Sequence, residues 1–235
     1  MDASPEIHTA FDAADLAWDV SAALIRIAQE AIQARGVCHL ALSGGSTPIP
    51  AYALLALPEW RARLDWSKVQ VYWGDERCVP PDHPQSNYLN AKTSLLDPVK
   101  IPPTNVHRIK GELPPAEAAQ DYEREIAGIT FDLILLGMGD DGHTASLFPG
   151  TPILLEQSRR VAEVYVPHLD SWRVSLTLST LNSARTVMFM VSGATKADRI
   201  QEILKNEGGA NALPAGLVRP TRLIWMLDRE AAGRL

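Results

Sequence analysis

Short apolar runs with the composition of buried strands alternate along this chain with segments of helical spacing, and that alternation is what most limits its fold. VCHLALS (37–43), VQVYWGD (69–75), FDLILLG (131–137), TVMFMVSG (186–193) and TRLIWMLD (221–228) read as strands. Between them, residues 12–35 place Leu16, Val20, Leu24, Ile27, Ala28 and Ile32 at helical intervals, with Gly36 as a stop. IPAYALLALPEW follows Pro48, which can open a helix at its first position, and runs to a break at Pro58. QSNYLNAKTSLLD (85–97), PAEAAQDYEREIAGI (115–129) and DRIQEILKN (198–206) are further helices. Strands that alternate with helices predict a mostly parallel sheet with helices on both faces. RRVAEVYVP (159–167) and RVSLTLS (173–179) are joined too briefly for a helical crossover, so a small antiparallel addition is expected.

No internal repeat, low-complexity tract or long linker divides the 235 residues, and one domain over 1–235 is expected. Hydrophobic residues make up 46% of the chain, enough for a large core without disulfide or metal staples. Twenty-two basic against 28 acidic side chains give a net charge of −6, which argues against general nucleic-acid binding. No apolar run reaches the length of a membrane span, and the acidic N-terminal stretch lacks the apolar core of a signal peptide. Two cysteines outside any CxxC pair fit a reducing compartment, so the cytoplasm is the expected location.

In parallel sheets ligands gather at the carboxyl ends of the strands. Four strand ends here carry loops of unusual composition: Ser43-Gly44-Gly45-Ser46-Thr47-Pro48, Gly74-Asp75-Glu76-Arg77, Gly137 to His143, and Ser192-Gly193-Ala194-Thr195-Lys196. The first suits a phosphate, through backbone N–H groups, hydroxyls and a following helix start, or else is a capped turn. It matches neither the P-loop nor the dinucleotide fingerprint. Lys196 near a helix start works against the helix dipole unless it meets an anion. Arg77 can grip phosphate or carboxylate through its planar fork, or pair with Asp75 or Glu76. His143 is the one histidine in such a loop, and Asp141 stands two residues before it.

The blocks LALSGGSTP, VYWGDERCVPPDHPQSNYLNAKTSLLD, FDLILLGMGDDGHTASLFPGT, RVSLTLSTLNSAR, VSGATKA and LPAGLVRP resemble the 6-phosphogluconolactonase family of the soluble type, related to glucosamine-6-phosphate deaminases. The departures lie at motif edges: His83 stands where an acid is common, and Ala194 where a glutamate is frequent. The resemblance implies a three-layer α/β fold. It also implies hydrolysis of 6-phospho-D-glucono-1,5-lactone to 6-phosphogluconate in the oxidative pentose phosphate pathway. His143 is then the general base, and Gly44, Gly45, Ser46, Thr47, Arg77 and Lys196 surround the phosphate or ring, with Ser43 in the same loop. Asp75 matches the proton-transfer aspartate of the related deaminases.

The chemistry of these residue types agrees. Histidine titrates near neutral pH and can take a proton from water. Asp141 can orient the imidazole, and Arg77 can meet the developing oxyanion. The phosphate, held far from the reacting carbonyl, positions the ring. A δ-lactone is already reactive, so no metal and no organic cofactor is expected. The expected partner is the sugar phosphate lactone alone, with neither nucleic acid nor membrane. Oligomeric state is open, with a monomer favoured. The alternatives are an amino-sugar phosphate deaminase or isomerase, for which Phe148 stands where a glutamate is needed, and a non-catalytic sugar-phosphate-binding module.

Overall fold

The computed structural model describes residues 4–205 and 212–235. Among the described residues nine strands form two sheets: β1 (Glu6–Ala10), β2 (Cys38–Leu42), β3 (Val69–Trp73), β4 (Asp75–Arg77), β5 (Leu133–Leu136), β6 (Val161–Val166), β7 (Ser171–Leu176), β8 (Thr186–Val191) and β9 (Arg222–Asp228). The larger sheet is wholly parallel, in the order β1-β9-β8-β5-β2-β3, and helices flank it. The smaller is antiparallel, in the order β4-β7-β6. The α/β class and the antiparallel addition are therefore as expected. From β2 the chain moves to β3 on one side and then to β5 on the other. That reversal opens a crevice at the carboxyl ends of β2 and β5, where open parallel sheets receive ligands.

The first helix, Ala13–Arg35, follows from its sequence. Asp12 caps it by accepting from the N–H groups of Ala14 and Asp15 at 2.9 and 3.0 Å. Leu16, Val20, Leu24, Ile27 and Ala28 are buried, and Gly36 ends the helix at φ 80° while donating to the Ile32 carbonyl. The core it helps close contains the fully buried Phe189 and Trp225, stacked at 4.1 Å on neighbouring strands β8 and β9.

Several local expectations are corrected. VQVYWGD is not one strand: the chain leaves the parallel sheet at Gly74 and enters the other at Asp75. Pro48 is the cap of helix Ile49–Ala56 rather than its first residue. That helix ends before Pro58 because Leu57, forced extended by the following proline, breaks it at ψ 144°. QSNYLNAKTSLLD begins its helix at Asn87 and passes through a π turn at Lys92–Leu96. PAEAAQDYEREIAGI stays helical only to Glu125. Asn206, at the end of the DRIQEILKN expectation, lies outside the described residues, as do residues 1–3. Strand β1 was not anticipated. Three of its five residues are exposed, so it has no apolar alternation to read, and Arg222 fastens it through a forked pair with Glu6 at 2.6 and 2.8 Å.

Asp132 ties the amino ends of the central strands. It is 3% exposed, and its Oδ2 accepts from the His39 N–H at 2.9 Å. Arg35 Nη2 lies 2.7 Å from Oδ1 as an ion pair without hydrogen-bond alignment. Asp132→Ala strands the His39 N–H between β2 and β5. We expect a loss of about 2–3 kcal/mol in urea unfolding, the scale of an unsatisfied buried donor. An unchanged midpoint would show that this carboxylate holds nothing.

Candidate active site

Two buried tyrosines fix the strand ends that border the crevice. Tyr52 donates to the Ser43 carbonyl at 2.7 Å and accepts from the Ser43 N–H at 3.1 Å. Tyr122 does the same for Trp73, at 3.0 and 2.9 Å. Burial pushes both phenols far up, so each stays a neutral group that donates and accepts. The loops after β2 and β3 thus start from fixed backbone.

A cavity of about 230 Å³ lies at these ends. One wall is the whole Ser43–Pro48 loop. A second comes from Gly137, Met138, Gly139, His143 and Ala145, after β5. The third belongs to the other sheet: Asp75 and Arg77 of β4 and Arg173 of β7, with Asn87 beside them.

His143 is held on three sides. Asp141 Oδ1 accepts from its backbone N–H at 3.1 Å and lies 2.6 Å from Nδ1. A carboxylate at Nδ1 takes the ring N–H, so in the neutral ring Nε2 carries the lone pair. Burial pushes the Asp141 carboxyl up, but its bonds from the His143 backbone and ring hold it below the usual range. Phe148 stacks on the imidazole at 4.0 Å, and His168 from the β6–β7 turn meets Phe148 edge-on. Gly139 makes room for the ring: a Cβ there would stand 2.1 Å from Nδ1. Ala145 next to it adopts φ 48°, a left-handed conformation that costs an alanine roughly 1–2 kcal/mol. Neighbouring bonds secure it, from Thr144 Oγ1 to the Gly137 carbonyl at 2.8 Å and from Ser146 Oγ to Asp75 Oδ2 at 2.7 Å. Such strain gathers at functional sites.

Arg77 and Arg173 are direct cross-strand partners. Like charges in that relation repel unless something opposite in charge sits between them. Arg77 Nη1 donates to the Gln85 carbonyl at 2.7 Å and to Asn87 Oδ1, and it forms no salt bridge with Asp75 or Glu76. Among the described residues, the Nε atoms of both arginines are buried without a hydrogen-bond partner. Burial also pulls the Arg173 guanidinium below its ordinary range. Two desolvated cations with N–H groups to spare form a receptor for an anion.

Lys196 stands apart from this group. It does not line the cavity, and its ammonium is bonded to Asp140, which also accepts from Thr195 Oγ1 at 2.9 Å. Asp140, held below the usual carboxylate range by Lys196, is the anion that offsets a lysine near a helix start. The structure therefore brings together Ser43, Gly44, Gly45, Ser46, Thr47, Asp75, Arg77 and His143, with Asp141 behind the histidine and Lys196 to one side. Sequence reasoning missed Arg173 and Asn87. The arginine's position on a strand of period two was visible, but its neighbour across the sheet was not. Among the described residues no three His, Cys, Asp or Glu side chains gather closely enough to hold a metal ion.

The profile of the family described as Glucosamine-6-phosphate isomerases/6-phosphogluconolactonase matches residues 11–225. The chain belongs to this family. A 6-phosphogluconolactonase of Synechocystis is 43% identical over 88% of both chains, and the human 6-phosphogluconolactonase is 42% identical over 86% of this chain and 82% of its own. Among solved structures of the family, the 6-phosphogluconolactonase of Thermotoga maritima superposes with a TM-score of 0.83 at 32% identity, covering 96% of this chain and all of that one (100%).

The cleft of this family member predicts that inorganic phosphate raises its Tm, because a ligand bound only to the folded state stabilises it. Arg173→Met should abolish most of that rise and Lys196→Met much less, read by thermal scans across a phosphate titration. The reverse order would place the anion at Lys196.

Proposed function

We propose that the protein hydrolyses 6-phospho-D-glucono-1,5-lactone to 6-phosphogluconate. The observation that carries this reading is His143, oriented by Asp141, bordering the same cavity as two arginines whose Nε atoms are buried without a hydrogen-bond partner. The family and the names of its close members support the same reaction.

His143 Nε2 accepts a proton from water as the water attacks the lactone carbonyl. Asp141 keeps the ring in that tautomer and stabilises the imidazolium that forms. Arg77, its fork fixed by Gln85 and Asn87, meets the developing oxyanion. Arg173 and the Ser43–Thr47 loop anchor the phosphate and so place the ring for attack. When the ring C–O bond breaks, the imidazolium returns its proton to the departing alkoxide. Every residue in this scheme comes from one chain, so a monomer suffices. Among the described residues no helix is long and apolar enough to cross a membrane. Both cysteines are free, which supports a reducing compartment such as the cytoplasm.

The test is turnover of freshly made lactone, corrected for spontaneous hydrolysis. His143→Ala should lower kcat by about 10²-fold or more with little change in affinity for 6-phosphogluconate. Near-native turnover would remove the histidine from the reaction. Arg173→Ala should act mainly on KM, whereas Arg77→Ala should lower kcat, by about 10²-fold on the scale of a lost oxyanion donor. Glucono-1,5-lactone without phosphate should be a poor substrate, and equal efficiency on both lactones would contradict the anion pocket.

A further inference from the structure

One buried carboxylate beside the cleft has no part in the chemistry above. On strand β4 the period of two places Asp75 and Arg77 toward the cavity and Glu76 on the opposite face. Glu76 is 3% exposed, and burial pushes its carboxyl above the usual range. Its bonds all come from neutral donors. Oε1 accepts from the N–H groups of Arg77 and Asn87, both at 2.8 Å. Oε2 accepts from the Tyr88 N–H at 2.8 Å and from Ser86 Oγ at 3.0 Å. A carboxylate so engaged sets the start of the Asn87–Ala91 helix against β4 and fixes where the Asn87 side chain emerges.

The Asn87 amide then touches three parts of the cleft. Its Oδ1 accepts from Arg77 Nη1. Its Nδ2 donates to the Asp75 carbonyl at 2.9 Å and to Asp75 Oδ1 at 3.2 Å. It also occupies the space beside Gly44 in the Ser43–Pro48 loop, since a Cβ on Gly44 would fall 1.8 Å from Oδ1. Gly44 has no left-handed φ, so space rather than backbone conformation demands glycine there.

We infer that Asn87, seated by Glu76, is the positioning residue for Arg77, and that position 44 is glycine because the Asn87 amide fills the place of its side chain. The inference rests on the lactone hydrolysis proposed above. A long side chain free to rotate loses conformational entropy when it grips a developing anion. Bonds to Gln85 and Asn87 impose that loss before substrate arrives, which is preorganisation in the sense that matters for a transition state.

Two double-mutant cycles test it, read by steady-state turnover of the lactone and by calorimetric affinity for 6-phosphogluconate. Asn87→Ala should lower kcat/KM by about 10–10²-fold, the scale of a catalytic group displaced by an ångström. In an Arg77→Ala background the same substitution should cost less than about threefold, because no guanidinium is left to place. Gly44→Ala should impair the wild type by displacing the amide, and should cost clearly less in an Asn87→Ala background, where that clash is gone. Equal losses in both backgrounds, in either cycle, overturn the inference, since a merely structural asparagine costs the same with or without Arg77. Glu76→Gln turns one acceptor into a donor facing other donors and should reproduce the Asn87→Ala pattern. If that variant does not fold, the two cycles decide alone. A wild-type protein without turnover would instead refute the proposed reaction, and coupling in the 6-phosphogluconate affinities would still decide the role of Asn87.

Discussion

The architecture turns on a single residue between two sheets. The N–H of Gly74 donates to the Leu42 carbonyl at the end of β2, at 3.0 Å, and its own carbonyl accepts from the Leu176 N–H at the end of β7, at 2.9 Å. One residue thus finishes the parallel ladder and starts the antiparallel one. Because Tyr122 fixes Trp73 immediately before it, the departure angle is set by a rigid strand end. Asp75 and Arg77 are carried across the crevice from the loops that follow β2 and β5. Without that switch the guanidiniums and the histidine would not share a cavity.

The cleft also runs against the rules that stabilise the core. Two arginines are set side by side, an alanine is held left-handed, and a carboxylate is buried among neutral donors. Each arrangement is unfavourable alone and persists because its surroundings leave it no alternative. The pattern is directional. Unpaired N–H groups belong to the arginines, whereas the carboxylates of Asp75 and Glu76 have their partners inside the protein. An anionic guest completes such a site, and a cationic one finds little to bind.

Much of this was legible in the chain itself. The first helix, the parallel strands and the loops at their ends follow from periodicity and from glycine-rich, hydroxyl-rich composition. What escaped is set by pairing over distance. VQVYWGD is continuous as a pattern, and nothing in it marks the change of sheet at Gly74. Arg173 reads as the first residue of a strand until β7 is laid against β4. The engagement of Lys196 depends on a carboxylate 56 residues earlier. Glu76 and Asn87 look like ordinary residues of a strand and a helix start, and their bond exists only once the intervening loop folds back.

The pairing of β1 with β9 joins the earliest strand in the sequence to the latest. On a ribosome, residues 6–10 leave the exit tunnel long before β9, the strand they pair with, has been made. Until residue 228 is translated, the β8 side that will receive β9 lies open, with Phe189 lacking the indole it stacks on. The central strands β2, β3 and β5 can pair early in synthesis, whereas the far edge closes only once β9 has emerged. A nascent chain stalled before β9 therefore presents an unpaired apolar strand, the kind of surface that chaperones bind and aggregates grow from.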